Sequence, residues 1–163
     1  MKRYYIAYGS NLNVEQMAYR CPGARPIGTC WLNDYELLFK GSKTGSYLTV
    51  EPCIGSKVPV AVWEVSAANE ASLDRYEGFP TFYYKMEKDL AKGGKIIGKA
   101  FVYVMHEDRK IGVPSRYYVD TCLEGYKAFG FDKKYLDKAL KKSKQIQKRE
   151  REDNDGTTYY VEW

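Results

Sequence analysis

The segment Tyr4-Tyr5-Ile6-Ala7-Tyr8-Gly9-Ser10-Asn11-Leu12 changes character halfway along. Tyr4 to Ala7 is aromatic and β-branched, which suits a pleated strand. Gly9-Ser10-Asn11 is turn chemistry: glycine reaches φ > 0 at little cost, and serine and asparagine bond their own backbone. Asn13, followed three residues later by Gln16, predicts a capping box that opens a helix running to about Arg20. A strand therefore stops, the chain turns sharply and a helix begins. Such a turn aims several backbone N–H groups at one spot, as a small anion-binding nest does; the same residues also suit an ordinary strand-to-helix turn.

Outward from that segment, Cys21-Pro22-Gly23 ends the first helix. Strands are predicted over 27–32, 35–40, 47–51 and 58–65, with a turn at Asn33-Asp34, a loop at 41–45 and a stop at Pro52. Val58, Val60 and Val62 alternate with Ala61, Trp63 and Val65, so both faces of the 58–65 strand are apolar, as in a closed or covered sheet. Ser66 offers an N-cap for a helix over 67–77, and Gly78 suits the left-handed position that ends it. Strands over 83–90 and 96–105 meet at Gly93-Gly94, a hairpin signal. Pro114-Ser115 starts a helix that carries Tyr118, Cys122 and Tyr126 on one face and stops at Gly130. A last helix over 133–149 has only a thin apolar stripe. Residues 150–163 end Thr157-Thr158-Tyr159-Tyr160-Val161-Glu162-Trp163, which suits either a tail or a short strand on a sheet edge. Sequence-local strands interrupted by helices predict an α+β fold, a mixed, mostly antiparallel β-barrel with flanking helices. One domain is expected over 1–131, followed by a basic helix and polar, aromatic tail over 132–163.

Composition narrows the chemistry. The chain has 163 residues, 44% hydrophobic and 29% charged, enough to bury a core. No apolar run approaches the roughly 20 residues of a membrane span, and Met1-Lys2-Arg3 leads directly into a strand, so a cytoplasmic protein is expected. The net charge of +5 is localised. Residues 133–151 hold nine Lys or Arg against Asp137 and Glu150, residues 152–163 hold four acids and no base, and the remainder is nearly neutral. A solvated charged helix explains the basic run better than nucleic-acid binding, because Tyr135 is the only aromatic that interleaves it. The cysteines, Cys21, Cys30, Cys53 and Cys122, form no C-x-x-C pair and read as buried thiols in a reducing compartment. With a single histidine, His106 in a polar run, acid–base chemistry falls to a carboxylate, lysine, tyrosine or cysteine. Glu77 stands out at the end of Leu73-Asp74-Arg75-Tyr76-Glu77-Gly78-Phe79-Pro80, among aromatic neighbours that would raise its pKa if they buried it. Position alone leaves it either a surface side chain or a base.

Two stretches together resemble the γ-glutamylcyclotransferase-like family, which includes AIG2-like plant proteins and γ-glutamylamine cyclotransferases. They are Tyr8-Gly9-Ser10-Asn11-Leu12 and, about 65 residues later, Leu73-Asp74-x-x-Glu77-Gly78. Tyr83-Tyr84-Lys85 follows where family members carry Tyr-x-Arg, and Pro114-Ser115-x-x-Tyr118 with Gly125 resembles the late helix that brings a tyrosine to the site. Lys85 departs from the pattern, since a lysine cannot make a bidentate contact. The resemblance spans residues 3–131 and omits the basic helix and tail.

The resemblance implies a γ-glutamyl cyclotransferase: an enzyme that releases 5-oxoproline from a γ-glutamyl amino acid or amine by intramolecular aminolysis. It implies Glu77 as general acid and base, and Tyr8, Gly9, Ser10, Asn11, Leu12 and Tyr118 as substrate-binding residues. It calls for no metal or organic cofactor; the expected partner is a small γ-glutamyl molecule, and the protein a monomer or homodimer. A binding module of the same fold without catalysis is the competing expectation.

Overall fold

Strand β1 (Arg3–Ala7) lies inside the sheet with a neighbour on each side. The computed structural model describes residues 3–42 and 44–156. In it β1 pairs antiparallel with β3 (Gly45–Val65), from Arg3↔Val65 to Ala7↔Ala61. It pairs parallel with β5 (Lys95–Met105) through Tyr4↔Ala100 and Tyr5↔Phe101. β2 (Arg25–Ser42) continues outward from β3 and carries β6 (Lys110–Ile111), while β4 (Tyr83–Lys92) flanks β5. The order β4-β5-β1-β3-β2-β6 makes one mixed sheet, antiparallel everywhere except β1–β5, and it curls into a half-barrel. The curl is visible at Tyr8, whose hydroxyl donates to the Tyr103 carbonyl of β5 at 2.6 Å and lies 3.4 Å from the Leu48 carbonyl of β3.

The predicted turn at Asn33-Asp34 and stop at Pro52 are not breaks. Strand β2 passes through a bulge between Asn33 and Tyr35, where Asp34 takes φ 61°. Facing it, β3 passes Pro52 and Gly55, and the Gly55 N–H donates to Asp34 Oδ1 at 3.0 Å. Irregularities that face each other bend both strands together and leave the ladder intact. Gly41 and Ser42 pair with Ser46 and Gly45, so most of the predicted 41–45 loop is also ladder. The hairpin at Gly93-Gly94 (φ 59° and 78°) forms as the dipeptide demands.

Four helices flank the sheet: α1 (Val14–Arg20), α2 (Ala67–Glu77), α3 (Arg116–Phe129) and α4 (Lys134–Gly156). Asn13 caps α1, but the Gln16 side chain accepts from Arg20 instead of closing a capping box. The complete box is at α2, where Ser66 and Asn69 bond reciprocally at 3.0 and 3.1 Å. α4 runs well past its predicted end at 149. It buries Leu136 and Ala139, sets the Tyr135 ring tilted against Trp31 of β2 and ties Lys142 to Glu36 at 2.8 Å. The alternating residues of β3 from Val58 to Val65 are buried on both faces apart from a partly buried Glu64. All four thiols are free; Cys21 and Cys122 are buried, but Cys30 is exposed, because the first half of β2 faces solvent. The suggested strand at Tyr159 to Trp163 lies outside the described residues. Among the described residues no helix is long and apolar enough to cross a membrane.

Candidate active site

Past β1, residues Ser10–Leu12 form one 3-10 turn. The N–H groups of Leu12 and Asn13 donate to the carbonyls of Gly9 and Ser10, each at 3.0 Å. The N–H groups of Gly9, Ser10 and Asn11 precede those bonds and have no acceptor within the turn itself. α3 packs directly on this turn at Gly125. A Cβ there would stand 2.5 Å from Leu12 and 2.8 Å from the Asn13 nitrogen, so only glycine allows the approach.

From the other side α2 presents Glu70, Asp74 and Glu77, one face of a helix at spacings of four and three. The first two are spent on the sheet. Glu70 accepts both donors of a fork from Arg3, at 2.8 and 3.0 Å. Lys85 of β4 bridges Glu70 and Asp74 at 3.0 and 2.9 Å, and the Tyr103 hydroxyl donates to Asp74 at 2.5 Å. This network fastens α2 to β1, β4 and β5 and places Lys85 behind the site. Glu77, at the end of the helix just before the left-handed Gly78, makes no ion pair among the described residues and enters a cavity of about 390 Å³.

The cavity brings together Tyr8, Gly9, Ser10, Asn11, Glu77 and Tyr118. Asn11 Nδ2 donates to Glu77 Oε1 at 3.3 Å, closing a gap of 66 residues in sequence. Leu12, also expected at the site, is fully buried beneath the turn and does not reach the wall. Tyr118 does not bond Glu77; its hydroxyl accepts from the Leu48 N–H at 3.1 Å. Sequence reasoning missed Tyr5, Tyr47, Phe82, Tyr83 and Tyr103 as wall residues. Apart from Tyr83, which stands in the Tyr83-Tyr84-Lys85 match, their only signal was the abundance of aromatics, 16 tyrosines and 6 phenylalanines in 163 residues, which does not say where they converge. Leu48 is the point of convergence: Tyr83 donates to its carbonyl at 2.8 Å, Tyr8 approaches the same oxygen, and Tyr118 takes its N–H. His106 is outside the cavity, with Nε2 3.2 Å from the Pro80 carbonyl and its ring beside Tyr84.

Burial pushes the Glu77 carboxyl up to about 7, with the Arg20 guanidinium pulling in the opposite direction. The phenols of Tyr5, Tyr8, Tyr83 and Tyr118 are driven well above the ordinary range, again by burial, so each stays a neutral hydroxyl. The site thus offers a carboxyl that changes charge near neutrality, inside a wall of fixed hydroxyl groups. That suits proton transfer on a small polar molecule. Among the described residues no three His, Cys, Asp or Glu side chains are grouped to hold a metal ion.

Residues 5–120 match the family model described as gamma-glutamyl cyclotransferase, AIG2-like. The gamma-glutamylcyclotransferase of Homo sapiens is 31% identical over 144 residues, 82% of this chain and 75% of that protein. The Mus musculus gamma-glutamylcyclotransferase is 28% identical over the same length and coverage. A solved structure entitled gamma-glutamyl cyclotransferase superposes with a TM-score of 0.74 at 30% identity, over 85% of this chain and 86% of the other.

Proposed function

This chain belongs to the γ-glutamyl cyclotransferase, AIG2-like family, and we propose that it converts a γ-glutamyl amino acid or amine to 5-oxoproline with Glu77 as general acid and base. The observation that carries this reading is the Glu77 carboxyl itself. It is held up to about 7, bonded by Asn11 at 3.3 Å and set in a hydroxyl-lined cavity.

The chemistry needs no covalent enzyme intermediate. The substrate's α-amine attacks its own γ-carbonyl carbon, forming the C–N bond that closes a five-membered ring. Only a neutral amine attacks, so the Glu77 carboxylate takes the ammonium proton. A group with pKa near 7 is matched to that exchange at neutral pH. The carbonyl oxygen gains negative charge in the tetrahedral intermediate. The N–H groups of Gly9 to Asn11 and the hydroxyls of Tyr5 and Tyr118, which accept from Asn11 and from the Leu48 N–H, are the donors that stabilise it. Protonated Glu77 then gives its proton to the leaving nitrogen and the original amide bond breaks; the second proton of the ring nitrogen passes through Glu77 to the released amine, so 5-oxoproline departs with an ammonium ion. Glu77 ends as it began, and no water is consumed. Holding the glutamyl chain folded supplies much of the acceleration, because a positioned intramolecular nucleophile has a high effective molarity.

The test is 5-oxoproline release from γ-glutamyl dipeptides, γ-glutamyl amines and glutathione by the wild-type chain and by Glu77→Gln. The wild type turns over at least one class, and the variant loses at least about 100-fold in single-turnover rate at saturating substrate. A variant that retains more than about a tenth of the rate removes Glu77 from the role of base. A wild type inert on all three classes leaves the binding-module reading standing.

A further inference from the structure

We propose that Arg20, at the end of α1, is a positioning residue of this site: it fixes the Asn11 side-chain amide so that nitrogen, not oxygen, faces Glu77 and Tyr5. The inference rests on the reading of Glu77 as the base.

A guanidinium only donates, so the Asn11 atom that Arg20 bonds is necessarily the amide oxygen. That single bond decides the other end of the amide. Asn11 Nδ2 then has two hydrogens to give, and two acceptors receive them: Tyr5 Oη at 2.9 Å and Glu77 Oε1 at 3.3 Å. Rotated the other way, the amide would put its oxygen against the carboxylate and its nitrogen against a group that accepts nothing. Arg20 is itself held in place. Its guanidinium lies 3.3 Å from the centre of the Tyr76 ring, and it donates to Gln16 Oε1 one turn back in α1 at 3.2 Å. Tyr76 immediately precedes Glu77, so the arginine on α1 grips both the turn and the end of α2.

Two consequences follow for the cavity. Glu77 receives a hydrogen bond that favours its carboxylate form. Tyr5, by accepting from Asn11, keeps its own proton available to donate into the cavity it lines. The other titratable side chains that line the cavity are mostly phenols: the uncharged Tyr5 and Tyr8 from β1 and its end, Tyr83 from β4, Tyr103 from β5 and Tyr118 from α3, together with Tyr47 of β3 and Tyr76 of α2. Arg75 of α2 also lines the cavity but is exposed, and it bonds Ser72. Arg20 is the charge that acts on the Glu77 carboxyl, in the direction that favours ionisation.

Arg20→Met tests this, because it keeps an unbranched stem over Tyr76 and removes the donors. The rising limb of kcat/KM with pH should move up by about one unit, with turnover lost below the limb and largely recovered above it. A direct titration of the Glu77 carboxyl by 13C NMR should move by the same amount; glutamate-selective labelling reveals the signal, and Glu77→Gln identifies it. If Arg20→Met does not fold, Arg20→Ala takes its place in both measurements. A loss of activity uniform in pH, with the Glu77 titration unmoved, would make Arg20 a structural residue and overturn the proposal. The NMR titration needs no substrate. If the wild type released no 5-oxoproline, the functional reading would fall on its own, while the titration would still judge Arg20.

Discussion

At the scale of single residues, Glu77 is costly to the fold in the same way that it is useful. Its carboxyl is raised from 4.5 to about 7 by burial, so the folded state holds a proton that the unfolded state releases between those pH values. Stability from this group is therefore undiminished below about pH 4.5, falls as pH rises, and is at its lowest above pH 7. The full difference is up to about 3 kcal/mol. Glu77→Gln should match the wild type in urea unfolding near pH 4.5 and exceed it near pH 8, even as it loses turnover. Equal midpoints at pH 8 would show that the carboxyl is not desolvated. Tyr118 carries a different cost. Its hydroxyl takes the Leu48 N–H, so Tyr118→Phe leaves that donor unpaired at a cost of about 1–3 kcal/mol. It also removes a cavity hydroxyl, so turnover should drop along with the midpoint. Unchanged kinetics would return Tyr118 to the role of wall packing.

Among the elements, the site depends on how closely two helices approach one 3-10 turn. α2 is fixed by its capping box at one end, by Gly78 at the other, and by the Arg3–Glu70–Lys85–Asp74–Tyr103 network along its length. α3 is fixed by the absence of a side chain. Gly125→Ala would drive a methyl group into Leu12 and Asn13, and the clash is with backbone, which cannot rotate away. α3 then has to retreat, taking Tyr118 with it, while the turn that carries Asn11 shifts. Overpacking of this kind costs about 1–3 kcal/mol. Both the unfolding midpoint and the single-turnover rate should fall, and a stable variant with wild-type rate would show that the contact between α3 and the turn does not set the site.

For the molecule as a whole, the basic C-terminal helix is part of the body and remote from the cavity. Leu136 and Ala139 of α4 are 2% and 1% exposed, and none of its described side chains lines the site. Ending the chain before Lys134 should lower the melting temperature by roughly 5–10 °C through lost apolar burial, while the turnover of the molecules that remain folded is kept. Calorimetry and single-turnover rates on the same sample separate the two effects. Loss of turnover at temperatures where the shortened chain is fully folded would mean that α4 reaches the site through the sheet.

What local chemistry can dictate was already legible in the order of the residues. Gly78 and Gly130 stop helices because φ near 65° favours glycine, and Gly93-Gly94 turns a hairpin for the same reason. Residues Tyr8 to Leu12 and Asp74 to Gly78 identified the family and marked Glu77, since each motif is a contiguous run whose meaning does not depend on its neighbours in space. Sequence reasoning misread Asn33-Asp34 and Pro52 as breaks, because each is a stop signal in isolation and only pairing turns the two into a shared bend. It placed Leu12 at the site, because nothing in a motif distinguishes the side chain that faces the cavity from the one beneath it. The gathering of five tyrosines from β1, β4, β5 and α3 around Leu48 and Glu77, and the grip of Arg20 on Asn11, belong to the tertiary structure alone. Curling the sheet sets side chains up to 113 residues apart, Tyr5 and Tyr118, around one cavity, and no sequence spacing encodes a distance closed by curvature.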